Sequence, residues 1–377
     1  MTLEFIGITA TQETTWNPVA GSATAGFAAQ TEAGVPVGPI VNKEYVARLA
    51  RAHEASGFDR VLIAHSSSMP DGFVVADQVL EATDRIGVLL AHRPGFLAPT
   101  LTARAYATLD AFHPGRVAMH VITGGDDADQ QRDGDYADKP TRYRRTDDFL
   151  SIVRKTWESE APFDHEGEFY KVTGAFSSVR PATPIPIYFG GASEDAVRVG
   201  AKHADAYAFW GEPLDGIRQR IAEVREQAAP HGRDPRFSVS LRPIVADTEA
   251  EAWDRANEIL DRAKARTEAA AAHGRTWSAN AVGSQRLVAA AEKSDVHDKR
   301  LWTALAKVTG GAGNSTSLVG SYEQVADGLL DYVDLGVSTL LIRGFDPLED
   351  ATSYARVIEL VRAGAEHRPA DNPALAG

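Results

Sequence analysis

Short, almost uninterrupted apolar runs recur along the chain, and most are followed by a longer stretch in which apolar residues return every three or four positions. A continuous apolar run bounded by turn residues is the pattern of a strand buried on both faces, whereas a three-to-four spacing is that of an amphipathic helix. Runs at residues 4–10, 60–64, 86–91, 117–122, 185–189, 204–210, 237–246 and 339–343 predict eight strands. Helical periodicity is read over 43–56, 73–83, 99–112, a segment opening at Thr141 and carrying Phe149, Ile152, Val153 and Trp157, a segment opening near Glu194, and 214–229, 249–273 and 349–363. Strands alternating with helices predict an α/β protein, a (β/α)8 TIM barrel formed by residues 1–377 as a single domain. A basic barrel needs roughly 250 residues, so the surplus goes into insertions at about 11–42, 163–184 and 274–317. The second of these alternates as a small hairpin does. The third, polar and containing Ser and Gly, is expected to be a loop that is mobile until ligands bind. The competing architecture is a doubly wound open sheet with an appended domain; no break in composition separates two halves.

In a barrel the strand C-termini meet at one mouth, which selects the residues able to carry chemistry: Thr11 and Trp16, His65, His92, His120 and Thr123, Gly190 to Ser193, Trp210, Arg242 and Arg343. The stretch RVAMHVITGGDDADQQRDGDYADKPTRYRR, residues 116–145, runs from a buried strand through an acidic, Gly-containing loop into a helix, where a β/α protein binds ligands. His65, His92 and His120 are the groups whose ordinary pKa suits proton transfer, and each serves equally well as a structural histidine. Arg242 and Arg343 suit a sulfonate or carboxylate, or alternatively a salt bridge to Asp346 or Glu212. In YFGGASEDA, two glycines and a serine lie between strand and helix, exposing N–H groups at a positive helix end as a phosphate site does. The same residues also make an ordinary turn with a capping serine. The glycines at 310, 311 and 313 lack a Walker lysine and read as a mobile loop. No paired His/Glu spacing on one element predicts a metal centre.

Composition narrows the chemistry. The chain has no cysteine, which excludes disulfides, thiolate metal sites and a cysteine nucleophile, so any redox chemistry comes from a cofactor. A formal charge of −13 argues against binding to nucleic acid or anionic membranes. With no signal-like start and no apolar run long enough to span a bilayer, a cytoplasmic location is expected.

Taken together, HVITGGD, RYRRTDDFL, PIYFGGASEDA, FWGEP, HGRDPRFSVSLRPIVADTEAEAW and GGAGNSTSLVG closely resemble the bacterial luciferase-like flavin monooxygenases, in particular the alkanesulfonate monooxygenase branch. The resemblance runs from Glu4 to about Val361. It implies a (β/α)8 barrel with insertions, reduced FMN supplied as FMNH2 by a separate NAD(P)H-dependent flavin reductase, and reaction with O2 to a C4a-peroxyflavin that oxidises a small organic substrate. By position, it assigns Tyr143, Gly191, Ala192 and Ser193 to the FMN phosphate and sets His120 and Thr123 by the flavin ring. It makes Trp210 a pocket wall, and Ala91 with His92 falls where the family often has a cis peptide beside the isoalloxazine. A homo-oligomer, dimer or tetramer, is also implied.

The same resemblance exposes departures. Where alkanesulfonate monooxygenases have an arginine and then a histidine on the seventh strand, this chain has Ser240 and Arg242. The family's loop arginine is Thr309, its late tyrosine and histidine are Phe345 and Pro347, its histidine after the first strand is Thr11, and its cysteine after the second is Met69. The flavin cradle is kept and the substrate half is rebuilt, so the expected substrate is a small organic molecule, with sulfonates and other organosulfur compounds as candidates. Two alternatives stay open: a deazaflavin-dependent oxidoreductase of the same superfamily, and a non-catalytic flavin-binding protein. A metal-dependent barrel hydrolase lacks a ligand set that the sequence can assemble.

Overall fold

The computed structural model describes residues 3–14, 36–37, 39–272, 281–366 and 368. Trp16 and most of the first insertion lie outside them. Eight parallel strands close a barrel: β1 (Glu4–Ile8), β2 (Arg60–Ile63), β3 (Gly87–His92), β4 (Val117–Val121), β5 (Ile187–Gly190), β6 (Ala206–Trp210), β7 (Arg236–Leu241) and β8 (Val337–Ile342), with β8 paired to β1. Around it run α1 (Lys43–Ala55), α2 (Gly72–Glu81), α3 (Pro99–Phe112), α4 (Lys139–Glu158), α5 (Glu194–His203), α6 (Leu214–Ala228), α7 (Tyr322–Asp334) and α8 (Pro347–Glu366). The expected (β/α)8 barrel is therefore the observed fold.

Strand residues alternate between two cores because successive side chains point to opposite faces. Ile6, Leu89, Ala118, Tyr188, Ala206 and Leu341 pack together inside the barrel. Their strand neighbours, such as Val88, Leu90, Met119, Val121, Phe189, Val239 and Leu340, pack outward in the continuous core beneath the helices. Toward the bottom of the barrel, the Glu4 carboxylate accepts from Arg60 Nε (2.9 Å), Thr339 Oγ1 (3.1 Å) and the Tyr188 hydroxyl, so the charge buried there is paired.

Three expectations are corrected. The helix Glu249–Ala272 does not cover the barrel; it packs its buried Ala252, Ala256, Ile259 and Ala263 on Ile244, Trp302 and Val319 of a separate small core. The seventh barrel helix is α7, which opens with a capping box: Ser321 Oγ accepts from the Gln324 N–H, and the Gln324 side chain accepts from the Ser321 N–H. The second correction concerns the predicted strand 237–246, which is two strands. Pro243 has no N–H to give the ladder, so β7 ends at Leu241 and Ile244–Ala246 leaves the barrel to pair in parallel with Ser317–Ser321. Third, the described part of 274–317 is not a loop. It holds a helix, Val282–Lys293, a shorter one, Ala304–Thr309, and the short strands Val296–His297 and Leu301–Trp302, which complete a four-stranded sheet. Residues 163–184 contain the expected hairpin, Phe163–Glu166 against Lys171–Ala175. Among the described residues, no helix is long and apolar enough to cross a membrane.

Candidate active site

The alternation along each strand decides which candidates reach the mouth. On β4, Ala118 faces inward, so His120, two residues on, faces inward above it, in register with Ala91 of β3 and Tyr188 of β5. A Cβ built on Gly190 would lie 3.6 Å from His120 Cε1, so the imidazole lies across the missing side chain. His120 Nδ1 is buried without a hydrogen-bond partner, and burial pushes the ring's pKa down to about 4, leaving it neutral at ordinary pH.

His92 is one residue past inward-facing Ala91 and points the other way, into the helix layer. Its ring stacks on Phe149 at 5.5 Å and meets Tyr106 and Phe73 edge-on, with Thr102 Oγ1 3.4 Å from Nε2. Burial pushes its pKa down to about 3. The His92 ring thus packs in the helix layer and does not face the mouth with His120. No described peptide is cis, that between Ala91 and His92 included. His65 sits half-buried in the rim next to Arg93, its Nε2 without a partner and its pKa lowered by burial and then by the Arg93 charge.

The loop after β4 is held by a residue that sequence reasoning passed over. Arg142, on α4 and buried, donates from Nε to Thr123 O (3.1 Å), from Nη1 to Ala137 O (2.6 Å) and from Nη2 to Asp127 (2.7 Å). Gly124 is left-handed (φ 82°), and a Cβ there would overlap the Gln130 amide, so the loop needs glycine at that point. Buried Arg93 pairs with Asp129, which also accepts from Ser67 Oγ at 2.6 Å, tying together the loops after β2, β3 and β4.

Gly191, Ala192 and Ser193 form the turn between β5 and α5. Ser193 caps the helix, accepting from the Ala196 N–H at 3.3 Å. A Cβ on Gly191 would lie 2.5 Å from Ala196 Cβ and 3.2 Å from the Tyr143 hydroxyl, which brings buried Tyr143 of α4 to the same turn. From below, the Gly191 carbonyl accepts from Tyr207 Oη (2.9 Å) and Arg220 Nη2 (3.0 Å). Arg220 is a cation on the otherwise apolar face of α6 formed by Ile217, Ile221 and Val224, a signal readable in the sequence but not used. The Arg220 guanidinium, paired with Glu223 at 2.5 Å, fixes the Gly191 peptide, while the helix end favours an anion at this turn. The charge is wrong for one in the surface cavity between α1 and α8, lined by Glu13, Asp346 and Glu349 among others.

On the opposite side of the mouth, Trp210 ends β6 and packs against the insertion helix Val282–Lys293: a Cβ on Gly283 would lie 3.2 Å from its ring, and Leu287, Ala291 and Ala306 complete the contact. Arg242 and Arg343 follow β7 and β8, both buried. Arg242 Nε donates to Asn314 O (3.0 Å) and its guanidinium lies over the Phe345 ring at 5.0 Å. No other side-chain hydrogen bond of Arg242 occurs among the described residues. Arg343 Nη2 donates to Gly313 O. Burial pushes the Arg242 pKa down to about 10, and burial together with Arg242 lowers that of Arg343. The carboxylates weighed as partners for these arginines have other tasks: Glu212 accepts from Arg286 Nε at 2.7 Å, and Asp346 caps the start of α8. The hub of this side is Asn314, fully buried and left-handed (φ 55°). Its amide nitrogen donates to Ser240 O (2.6 Å) and Ser240 Oγ (3.0 Å), and its Oδ1 accepts from the Gly211 N–H (3.2 Å). Thr309 is also buried, its hydroxyl bonded to its own helix at Leu305 O (3.0 Å). Thr11 is described, but its carbonyl serves the Asn42 N–H.

The mouth therefore has an anion-favouring turn on one wall, a neutral histidine beside it, and an aromatic and cationic wall across from them. Solved structures share this fold. A riboflavin lyase solved with modified FMN and riboflavin is 18% identical over 97% of this chain and 92% of that one, with a TM-score of 0.73. The EDTA monooxygenase of Chelativorans sp. BNC1 is 19% identical over 97% and 94%, with a TM-score of 0.73. An F420-dependent secondary alcohol dehydrogenase is 17% identical over 96% and 100%, with a TM-score of 0.65. Such identities carry the fold, and the family is decided by the model of the luciferase-like monooxygenases, which matches residues 23–339. With that match covering well over half of the chain, from before α1 into β8, the chain belongs to the luciferase-like monooxygenase family and is an oxidoreductase.

Proposed function

We propose that the chain is a reduced-FMN-dependent monooxygenase of the two-component type, served by a separate NAD(P)H-dependent flavin reductase and working as a homo-oligomer. Its substrate is a small organic anion, with sulfonates and other organosulfur compounds as the candidate class. The observation that carries this reading is the turn at Gly191, where Ala196 Cβ, 2.5 Å from where a Cβ would stand, leaves no room for a side chain, so bare backbone meets the Tyr143 hydroxyl and the α5 N-terminus. These residues fit a phosphate, and an EDTA monooxygenase and an FMN-containing lyase share the fold. Tyr143, Gly191, Ala192 and Ser193 would hold the phosphate, and Ala91, His120 and Thr123 would line the ring. When bound, reduced FMN activates O2 and delivers one of its oxygen atoms to the substrate.

The chain's own residues supply binding, orientation and dryness. His120 keeps an uncommitted ring nitrogen in the mouth and stays neutral, so it adds no charge there. Arg242 is buried and has terminal N–H groups to offer an anion, so it is the first choice for orienting the substrate, with Arg343 behind it and Phe345 and Trp210 as apolar walls. Proton transfer then falls to His65 or His120. Aromatic side chains and the insertion helix over Trp210 help exclude water from the reaction.

The test supplies reduced FMN through a generic flavin reductase and measures substrate-dependent O2 uptake across sulfonates, sulfones and non-sulfur organic acids. Product and sulfite are followed by mass spectrometry and colorimetry. Oxygenated product is expected, and Arg242→Ala is expected to raise KM for an anionic substrate roughly tenfold or more while leaving FMN affinity within about twofold. Equal loss of both, or of neither, removes the anion site. Peroxide alone across the panel, or hydride transfer with a reduced deazaflavin, overturns the monooxygenase reading.

A further inference from the structure

At the face of the barrel away from the mouth, the C-terminal half of α2 and the end of α3 bring together Asp77, Glu81 and His113. Asp77 and Glu81 are four residues apart and share one face of α2. His113 is the C-cap residue of α3, held by its own N–H to Leu109 O (3.0 Å) and by the Arg116 N–H to its carbonyl (3.1 Å). Its ring is only 7% exposed, with Nε2 turned to the carboxylates. From Nε2 it is 3.3 Å to Asp77 Oδ1 and 3.7 Å to Glu81 Oε1, and all three ligand atoms lie within 4.8 Å of one another.

His113 makes one long hydrogen bond, to Asp77, and Glu81 lies beyond hydrogen-bond reach. One ring N–H serves one acceptor well, and a charge-assisted bond closes to about 2.7–2.9 Å. With metal–nitrogen and metal–oxygen bonds of about 2.0–2.1 Å, the edge of a coordination tetrahedron is about 3.3–3.4 Å; the Asp77 distance already has that length, and the 3.7 Å to Glu81 closes to it by a small rotation of an exposed side chain. We propose that Asp77, Glu81 and His113 form a zinc-class divalent metal site that pins α2 to α3. The nitrogen ligand selects zinc, cobalt or nickel over magnesium and calcium, which favour all-oxygen sites. The buried ring is already oriented, so little order remains to be imposed on it. The carboxylates, 44% and 67% exposed, leave the fourth position to water. The ligands lie at the end of the barrel opposite the strand C-termini, so the ion's task is to brace two helices, and its binding is separate from flavin chemistry. Thirty-two positions separate Glu81 from His113, which is why no spacing on one element revealed the set.

The test titrates the full chain, free of any affinity tag, with Zn2+ against a chromophoric chelator, and with Co2+ while recording its visible bands. One saturable site is expected, with the band intensity of four-coordinate cobalt and a thermal midpoint that rises with zinc concentration. Asp77→Asn and Glu81→Gln are each expected to weaken it roughly tenfold or more. Both residues are partly exposed, so these variants keep the fold even where His113→Ala does not. Absence of saturable binding across millimolar zinc, or undiminished affinity in both carboxylate variants, overturns the site.

Discussion

Ser193 stands at the first turn of α5, where the expected phosphate and the helix cap meet. Aspartate caps a helix as well as serine does, so Ser193→Asp keeps the α5 start and adds one negative charge where an anion is to bind. FMN affinity, measured by fluorescence or calorimetric titration, is expected to fall about tenfold or more, ~1.4 kcal/mol, with the thermal midpoint little changed. Unaltered affinity removes the phosphate assignment. Among single residues the histidines show where sequence reading fails. His92 and His120 both end up in strands with mouth-facing neighbours, and a parity of one position sends His120 into the lumen and His92 among Phe149, Tyr106 and Phe73. Parity is invisible in a strand that is apolar on both faces, because no polar alternation marks which side is which.

The insertion between β7 and α7 is the element that completes the mouth, and Asn314 is its attachment. Removing that side chain takes a donor from Ser240 Oγ and an acceptor from Thr316 Oγ1, while the Gly211 N–H keeps the Ser240 carbonyl (2.8 Å), so Asn314→Ala is expected to cost about 1–2 kcal/mol. It would also loosen Arg242, which donates to the Asn314 carbonyl. Hydrogen exchange is expected to show faster exchange across residues 310–316 in this variant, and unchanged protection there would contradict the role. The same region was the hardest to read at element scale. Its polar composition suggested a mobile loop, yet Thr303, Asn314 and Thr316 are fully buried. Thr316 Oγ1, for one, is bonded to Gly211 O at 2.7 Å, so polar residues can form an interior when each finds a partner. The capping box at Ser321 and Gln324, by contrast, was a local signal, and reading it would have identified α7.

At the scale of the whole molecule, three histidines are buried in neutral form: His53 and His120, with pKa values pushed down to about 4, and His92, to about 3. In the unfolded chain they titrate near their ordinary value. Between about pH 6.5 and pH 4 the unfolded state therefore binds protons that the folded state refuses, and stability falls as pH falls, by about 1.4 kcal/mol per pH unit for each ring. Thermal midpoints are expected to drop steeply over that window, and His92→Phe is expected to flatten the drop. A pH-independent midpoint across it would contradict the burial of neutral rings. The barrel itself was legible because period and order are local properties: eight apolar runs, each with its helical partner or nearly so, admit few topologies. The turn at Gly191 to Ser193 was legible for the same reason, since glycines and a capping serine act over a few residues. What the tertiary structure alone decided is which side chains meet. Arg142 under Thr123, Arg220 under Gly191, Asn314 under Arg242, and His113 against Asp77 and Glu81 all join positions far apart in the chain, through hydrogen bonds and charges that depend on where two elements pack. A strand's apolar run states that it is buried, but the partner of a buried cation exists only after the barrel has closed.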